Sequence, residues 1–191
     1  MKTIGQPIEV DAELRLVPRH PSDASEMFGL VDRHRAALRN WLTWIDATHG
    51  PSDVRRYAQF AQGQFEQHAA FDYTIRRHDA IVGSIGLHHL DWSSRKGEIG
   101  YWLVPPAEGR GIMTRSCAAL TTTAFERFGL NRLEIHCVVD NARSRALAER
   151  VGYVFEGVMR EAYLLHGAFR DLALYAMTAA AWPQIRSSQA T

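Results

Sequence analysis

The chain has 191 residues, of which 46% are hydrophobic and 23% charged, and these values are ordinary for one globular domain with a sizeable core. Its formal net charge of +1 gives no reason to expect nucleic acid or a membrane surface as a partner. The sequence has no signal segment and no apolar run of the roughly 18 residues that a membrane span needs, so we expect a cytoplasmic protein. Cys117 and Cys137 form no C-x-x-C pair, which favours buried, reduced thiols.

The first third of the chain predicts one strand and two helices. Residues 1–12 have no clear period and are expected to form an arm. Alternating apolar residues then predict a strand, and capping residues with nearby acids predict the starts of two helices. The predicted strand is 14–17, the first helix runs from 21 to about 40, and the second is capped at 52 or 53 and ends near 67.

The rest of the chain alternates between short apolar runs and polar turns, with frequent glycine and β-branched residues. We predict three antiparallel strands, a helix, another strand, a short helix and a closing hairpin with its turn at His166-Gly167. The predicted strands are 71–76, 81–90, 98–104, 132–139, 153–165 and 169–178, and the predicted helices are 115–128 and 140–152.

These elements predict an α/β (α+β) fold as a single domain that spans residues 13–182, with a C-terminal tail at residues 183–191. The predicted element order is β-α-α-β-β-β-α-β-α-β-β. We expect a mixed, mostly antiparallel and twisted sheet of seven strands, with helices on both faces.

One turn carries most of the functional information in this sequence. Pro106-Ala107-Glu108-Gly109-Arg110-Gly111-Ile112-Met113-Thr114 follows an apolar strand and precedes a helix. Successive N–H groups of such a turn, together with the positive end of a helix dipole, can hold a phosphate group. The motifs G-x-x-x-x-G-K-[ST] and G-x-G-x-x-G are both absent, so this is neither of those phosphate sites. The two glycines can equally do no more than shape a tight turn.

Four local sequences stand in a fixed order between residues 96 and 178. They are Glu98-Ile-Gly-Tyr-Trp-Leu, Glu108-Gly-Arg-Gly-Ile-Met-Thr114, Val139-Asp-Asn-Ala-Arg-Ser144 with Ala148-Glu-Arg-Val-Gly-Tyr153, and Glu156-Gly157 through Arg160-Glu161 to His166-Gly167. With the element order, they resemble the GCN5-related N-acetyltransferase superfamily, and within it the RimJ/RimL-type ribosomal-protein N-acetyltransferases. The N-terminal half matches mainly in element order.

The resemblance implies transfer of an acetyl group from acetyl-CoA, a cosubstrate, to a primary amine that attacks the thioester directly, with no metal. In this superfamily the turn binds the pyrophosphate of CoA through its main chain, and the end of the preceding strand binds the pantetheine arm. The cofactor-binding residues implied in this way are Trp102, Leu103, Val104, Gly109, Arg110, Gly111, Met113, Thr114, Asn141 and Ser144.

The resemblance also implies three catalytic side chains. Ser144 would protonate the leaving thiolate, since Ala148 stands where many members have a tyrosine for that task. Glu98 ranks first as the general base. Glu161 ranks second, because Tyr163 replaces the glutamate that the RimL branch uses and Glu161 is the nearest carboxylate on the same strand face. Proton transfer through water, without a dedicated base, stays open.

Other positions carry less definite expectations. Glu108 departs from the superfamily's phosphate-loop pattern, and its side chain is expected to face solvent or Arg110. Asn141 and Ser144 can alternatively serve only as helix caps. The residues considered for the wall of the acceptor pocket are Trp41, Trp44, Tyr73, His88 and Trp92.

The acceptor amine is open at this point. It is either the N-terminal α-amine of a ribosomal protein or a small molecule such as an antibiotic, a polyamine or an aminoacyl compound. Ala148 and Tyr163 stand where other members of the superfamily have catalytic side chains, so a non-catalytic acyl-CoA sensor is a further alternative. A nucleotide-binding α/β protein is the weakest alternative. The resemblance also implies a homodimer, formed through the late strands.

Overall fold

The structure is a computed structural model that describes residues 6–189. Its strands are β1 (Ile8–Glu9), β2 (Leu14–Pro18), β3 (Phe71–Arg77), β4 (Ala80–Asp91), β5 (Lys96–Leu103), β6 (Arg132–Val138), β7 (Val154–Leu165) and β8 (Ala168–Thr178). Its α-helices are α1 (Ala24–Arg33), α2 (Arg35–Arg39), α3 (Pro51–Glu66), α4 (Ile112–Glu126), α5 (Ala142–Val151) and α6 (Trp182–Gln189). Short 3₁₀ helices lie at Pro21–Asp23, Thr43–Ala47 and Pro105–Ala107.

The eight described strands form one mixed sheet in the order β1-β2-β3-β4-β5-β6-β8-β7. Every neighbouring pair is antiparallel except β5 and β6, which are parallel. The order places β8 between β6 and β7, so the closing hairpin lies at one edge of the sheet. The predicted α/β (α+β) class, as a single domain with a mostly antiparallel mixed sheet, is confirmed.

Two apolar clusters hold the helices against the sheet. The larger one packs α4 and α5 on strand residues that include Leu133 and Ile135, both at most 1% exposed. The smaller one joins α1, α2 and α3 around Ile81 and the half-buried Trp102. Burial of these side chains is the main force that fixes the helices on the sheet.

The predicted count of seven strands is wrong by one among the described residues. Ile8–Glu9 pairs with β2, with Ile8 opposite Leu16, inside the segment that was expected to be an arm. A strand of two residues is too short to show a period, so no local pattern predicts it. Residues 1–5 of the predicted arm lie outside the described residues.

Two further differences concern helices. The helix expected from 21 to about 40 is divided, because His34 leaves helical geometry at φ −113° between α1 and α2. The expected tail contains α6, whose Trp182 is 2% exposed and donates its indole N–H to Thr122 Oγ1 at 3.1 Å. Residues 190 and 191 lie outside the described residues. Cys117 and Cys137 are buried and unpaired, as expected.

Candidate active site

A gap opens in the middle of the sheet, between β5 and β6. The two strands pair only from Lys96–Glu98 to Arg132–Glu134. Beyond those residues β5 stays on β4 as far as Leu103, while β6 stays on β8 as far as Val138. The two strands therefore diverge, and each presents an edge of unpaired main-chain groups to the gap.

The main chain of β5 offers hydrogen-bond donors to this gap. Val104 N–H donates to Val82 O at 3.1 Å, so the amide of Val104 faces β4. Since successive residues of a strand point their N–H groups to opposite sides, the N–H groups of Tyr101 and Leu103 point away from β4. An extended ligand in the gap can therefore pair with this edge like an added strand.

The turn between β5 and α4 presents a run of free N–H groups. Glu108 N–H donates to Pro105 O, and the next main-chain donation is from Arg115 to Gly111 O at 3.0 Å. Within residues 6–189, none of the N–H groups from 109 to 114 has an acceptor. Four such groups are normal at a helix N-terminus, and the turn adds two more.

Gly109 and Gly111 give this turn its shape. Their φ angles are +72° and +68°, which is the left-handed region that glycine enters without strain. A Cβ atom on either residue would meet nothing within 4 Å, so the space in front of the turn is open. Open space, free N–H groups and the helix dipole together fit the pyrophosphate of CoA.

Glu108 pairs with a residue that the sequence reasoning did not consider. Its carboxylate accepts from Arg143, which lies in the first turn of α5, and the side chain is 36% exposed. The expectation of solvent or Arg110 is therefore wrong only for Arg110, because α5 begins beside the turn, a contact that only the fold creates. The Arg110 residue is exposed within the turn.

Ser144 lies in a small cluster of polar side chains at the start of α5. Asn141 caps this helix, since its Oδ1 accepts from Ser144 N–H at 3.1 Å. Tyr101 OH lies 2.8 Å from Ser144 Oγ and 3.3 Å from Ser144 O. Burial raises the pKa of the Cys137 thiol, and the neighbouring Ser144 hydroxyl partly offsets that effect. The cluster joins β5, β6 and α5 at the gap.

Glu98 belongs to a chain of charged groups at the closed end of the gap. Its Oε2 lies 3.2 Å from His136 Nδ1, and His136 Nε2 lies 3.0 Å from Glu134 Oε2. Glu134 in turn accepts from Arg132 at 2.7 Å. These side chains share one face because they alternate along β6. They border a cleft of about 310 Å³ lined by His89, Lys96, Gly97, Glu98, Glu134 and His136.

The charged groups in the row from Glu98 to Arg132 shift one another's pKa values. The hydrogen bond with Glu98 raises the pKa of His136, against the opposing effect of burial. Burial alone would raise the pKa of Glu134, but the hydrogen bonds from Arg132 and His136 lower it below its ordinary value. An imidazolium between two carboxylates is the arrangement that these shifts favour.

The same face of the sheet continues with aromatic and polar residues towards α3. The Trp44 and Trp102 rings lie 5.9 Å apart at an angle of 55°. His88 Nε2 lies 3.7 Å from Asp72 Oδ1, and Asp72 Oδ2 accepts from Tyr57 OH at 3.1 Å. This face has the mixture of apolar walls and placed polar groups that small-ligand sites use.

Two of the expected wall residues lie elsewhere. Tyr73 is 1% exposed and packs edge-on against Phe65 in the core, so it cannot line a pocket. Trp92 donates its indole N–H to His68 O at 2.7 Å and contacts Phe71. Trp41, by contrast, is near the hairpin, since its carbonyl lies 3.5 Å from Tyr163 OH.

Glu161 lies apart from Glu98 and Ser144. The pairing of β7 with β8 shifts register between Met159 and Tyr163, so the strand alternation that would put Glu161 and Tyr163 on one face is interrupted. Glu161 adopts φ +49° there and donates its N–H to Asp171 Oδ1 at 2.8 Å. Its side chain is exposed and, in the described residues, has no hydrogen bond or ion pair with Glu98 or Ser144.

The hairpin of β7 and β8 reaches across to the helical side of the molecule. His166 Nε2 lies 2.6 Å from Arg39 O, and His166 Nδ1 lies 3.5 Å from Asp46 Oδ2. The hairpin and the segment from α2 to α3 therefore border the candidate acceptor face from two sides. Residues 6–189 contain no group of three or more side chains arranged for a metal ion. None of their helices is long and apolar enough to cross a bilayer.

The fold thus brings together most of the predicted positions. Trp102, Leu103 and Val104 border the gap, the turn from 109 to 114 stands at its mouth, and Ser144 lies in its wall. Tyr101 and Glu134 were not predicted as site residues from the sequence, whereas His136 was considered as a base and interpreted as a structural strand histidine. The alternation of Arg132, Glu134 and His136 along one predicted strand was the available signal for Glu134.

Comparison with known proteins agrees with this geometry. Residues 13–154 match the acetyltransferase (GNAT) domain family, and the chain therefore belongs to that family of N-acetyltransferases. Members of the family use acetyl-CoA as the acetyl donor. The match covers the gap, the turn and the start of α5.

Individual relatives point in the same direction. The chain is 33% identical over 166 residues to the putative ribosomal N-acetyltransferase YdaF of Bacillus subtilis (strain 168), covering 85% of this chain and 89% of the relative. It superposes on RimL, a ribosomal L7/L12 alpha-N-protein acetyltransferase in complex with coenzyme A, with a TM-score of 0.87 and 29% identity over 91% of this chain and 98% of that one. It also superposes on the microcin C7 self-immunity acetyltransferase MccE, in complex with acetyl-CoA and AMP, with a TM-score of 0.86 and 25% identity over 92% and 98%.

Proposed function

We propose that this N-acetyltransferase transfers the acetyl group of acetyl-CoA to the N-terminal α-amine of a ribosomal protein. The observation that carries the proposal is the sheet gap with a run of free N–H groups at its mouth and Ser144 in its wall. The choice of acceptor is supported by the names of the relatives, since YdaF and RimL are both described as ribosomal acetyltransferases.

In this proposal acetyl-CoA lies along the gap. The main chain of Gly109, Arg110, Gly111, Met113 and Thr114 binds the pyrophosphate, and the exposed Arg110 side chain adds a cation. The edge of β5 at Trp102, Leu103 and Val104 binds the pantetheine arm. Asn141 keeps its side-chain N–H₂ group for the same arm, because only its Oδ1 is used in capping α5.

The chemistry needs three groups around the thioester. Glu98 accepts the proton that the acceptor ammonium must lose, directly or through a water molecule. The N–H groups on the free edge of β5 polarise the thioester carbonyl, and they stabilise the oxyanion that forms when the amine attacks. When the C–S bond breaks, Ser144 Oγ–H gives its proton to the CoA thiolate. Glu161 stays the second candidate for the base.

The experiment is an acceptor screen with the intact protein. Release of CoA from acetyl-CoA would be followed with a thiol reagent, in the presence of N-terminal peptides of ribosomal proteins, polyamines, aminoglycosides and aminoacyl nucleotides. We expect turnover with one or more of the peptides and a large loss of turnover in Glu98→Gln. Binding of acetyl-CoA without CoA release with any amine would support the sensor alternative.

A small-molecule amine is the second candidate acceptor. The Trp44–Trp102 pair on the acceptor face favours it, since paired aromatic rings suit a planar or apolar group. MccE, the structural neighbour bound to AMP, is a self-immunity acetyltransferase and has no ribosomal acceptor in its description. Turnover with an aminoacyl nucleotide at a kcat/KM far above that of any peptide would decide for this candidate.

We further propose that the protein acts as a cytoplasmic homodimer. The location follows from a ribosomal acceptor, and the dimer is supported by apolar side chains that the late strands leave exposed. These are Val154, Phe155, Val158, Leu164 and Phe169, with exposed fractions from 47% to 64%. Sedimentation equilibrium of the protein and of Phe169→Glu tests the dimer, which the charged variant should weaken.

A further inference from the structure

The Tyr101 hydroxyl is the closest partner of the Ser144 hydroxyl, and nothing in the reaction as described above uses this phenol group. We propose that Tyr101 is a positioning residue, which orients the Ser144 hydroxyl so that its hydrogen faces the sulfur of CoA. This inference rests on the proposed function, in which Ser144 protonates the thiolate.

The contact spans the gap in the sheet. Tyr101 stands on β5, and its side chain reaches the first turn of α5, where its hydroxyl lies 2.8 Å from Ser144 Oγ and 3.3 Å from Ser144 O. In the described residues its hydroxyl has no other hydrogen-bond partner. Ser144 is itself held in place, because its N–H is bound to Asn141 Oδ1.

In this proposal the Tyr101 hydroxyl is the donor and Ser144 Oγ is the acceptor. Each hydroxyl carries one hydrogen, and burial raises the pKa of Tyr101 far above its ordinary value, so Tyr101 stays protonated and remains a donor. Its acceptors are the two oxygens of Ser144, of which Oγ is the nearer. When Tyr101 donates to Oγ, the hydrogen of Ser144 has to point elsewhere.

The Ser144 hydroxyl is also a neighbour of the Cys137 thiol. The Ser144 hydroxyl lowers the pKa of the Cys137 thiol against the effect of burial, which means that it favours negative charge on a neighbouring sulfur. Without Tyr101, the hydroxyl of Ser144 is free to turn and donate to a main-chain carbonyl near the start of α5. A hydrogen bond from the Tyr101 hydroxyl to Ser144 Oγ opposes that rotation, because it holds Oγ as an acceptor.

The proton balance of the step is simple. The C–S bond breaks and its electron pair stays on sulfur, and the thiolate takes the hydrogen of Ser144 Oγ–H. The resulting alkoxide keeps its hydrogen bond from Tyr101 and regains a proton from solvent. Tyr101 never touches the sulfur, so its effect has to pass through Ser144.

A double-mutant cycle tests this dependence. Tyr101→Phe removes only the hydroxyl, and we expect kcat to fall by about tenfold, the worth of roughly one hydrogen bond, while the KM for acetyl-CoA changes by less than about twofold. In the Ser144→Ala background the same change should have no further effect on kcat. An equal loss in both backgrounds would show that Tyr101 does not act through Ser144.

Tyr153→Phe is the matched control. It also removes a buried tyrosine hydroxyl, which lies 2.8 Å from Thr121 Oγ1 and does not contact Ser144. We expect a comparable loss of thermal stability and an unchanged kcat. A loss of kcat as large as that of Tyr101→Phe would assign the effect to the structure and overturn the inference.

A second readout needs no acceptor amine and separates this inference from the proposed function. The thiol pKa of CoA bound to the protein can be measured from the absorbance of its thiolate. We expect a lower thiol pKa on the wild-type protein than on Tyr101→Phe, and no difference between Ser144→Ala and the double variant. Equal values on wild type and Tyr101→Phe would overturn the role of Tyr101. Failure of the acceptor screen alone would overturn only the choice of acceptor.

Discussion

Replacement of Gly111 by alanine tests whether the turn before α4 binds the pyrophosphate. Gly111 has φ +68°, and an alanine there costs about 1 kcal/mol from left-handed backbone strain. No neighbour lies within 4 Å of the added Cβ, so the folded protein loses nothing more through a clash. For a domain of this size, that loss lowers Tm by about 2–4 °C.

Binding of acetyl-CoA should suffer more than stability does. Relaxation of the backbone turns the free N–H groups away from the pyrophosphate, and each hydrogen bond to a charged group is worth about 1.5–3 kcal/mol. Loss of one such bond raises Kd at least about tenfold. At a ligand concentration near one hundred times the wild-type Kd, the stabilisation by acetyl-CoA falls from about 2.7 to about 1.4 kcal/mol.

Gly129→Ala is the matched control for this experiment. Gly129 has φ +73° and open space around its Cβ position, and it lies beyond the C-terminal end of α4. The assay is thermal unfolding of both variants with and without acetyl-CoA, and both should lose similar stability without ligand. An equal ligand-induced rise in Tm for the two variants would refute the N–H groups of this turn as the pyrophosphate site.

Three further predictions concern Glu98, Trp44 and His136. Glu98→Gln should lower kcat/KM by about 10²- to 10⁴-fold, with little change in acetyl-CoA binding by calorimetry, because it removes the proton acceptor and no donor contact. Trp44→Ala should raise the KM of the acceptor and leave that of acetyl-CoA unchanged, since its ring lies against Trp102 on the acceptor face; equal rises in both KM values would contradict that assignment. The pKa of His136 is raised in the folded protein above its ordinary value of 6.5. Protonated His136 therefore stabilises the fold fully below pH 6.5, and this stabilisation is lost as pH rises through the raised pKa. The free energy of unfolding should fall as pH rises over that interval. His136→Asn should flatten this part of a urea-unfolding pH profile, and an unchanged slope would exclude the ion pairs with Glu98 and Glu134.

The predicted number of strands and the predicted helix ends are wrong where the local sequence patterns are weakest. A strand of two residues shows no period, and the break at His34 carries neither proline nor glycine. The closing helix was missed because the residues after Trp182 were predicted as a tail, although α6 begins at Trp182, which is buried against α4. These features depend on packing against distant parts of the chain.

The sequence by itself determined the turn, because positive φ angles at Gly109 and Gly111 and the start of a helix are properties of neighbouring residues. Strand periods likewise determined which residues of β5 share a face. The divergence of β5 from β6, and with it the gap, was decided only by tertiary structure, since pairing depends on strands far apart in sequence. The same holds for the contacts of Tyr101 with Ser144 and of Glu98 with His136, because hydrogen bonds between strand and helix follow from packing that no local pattern encodes.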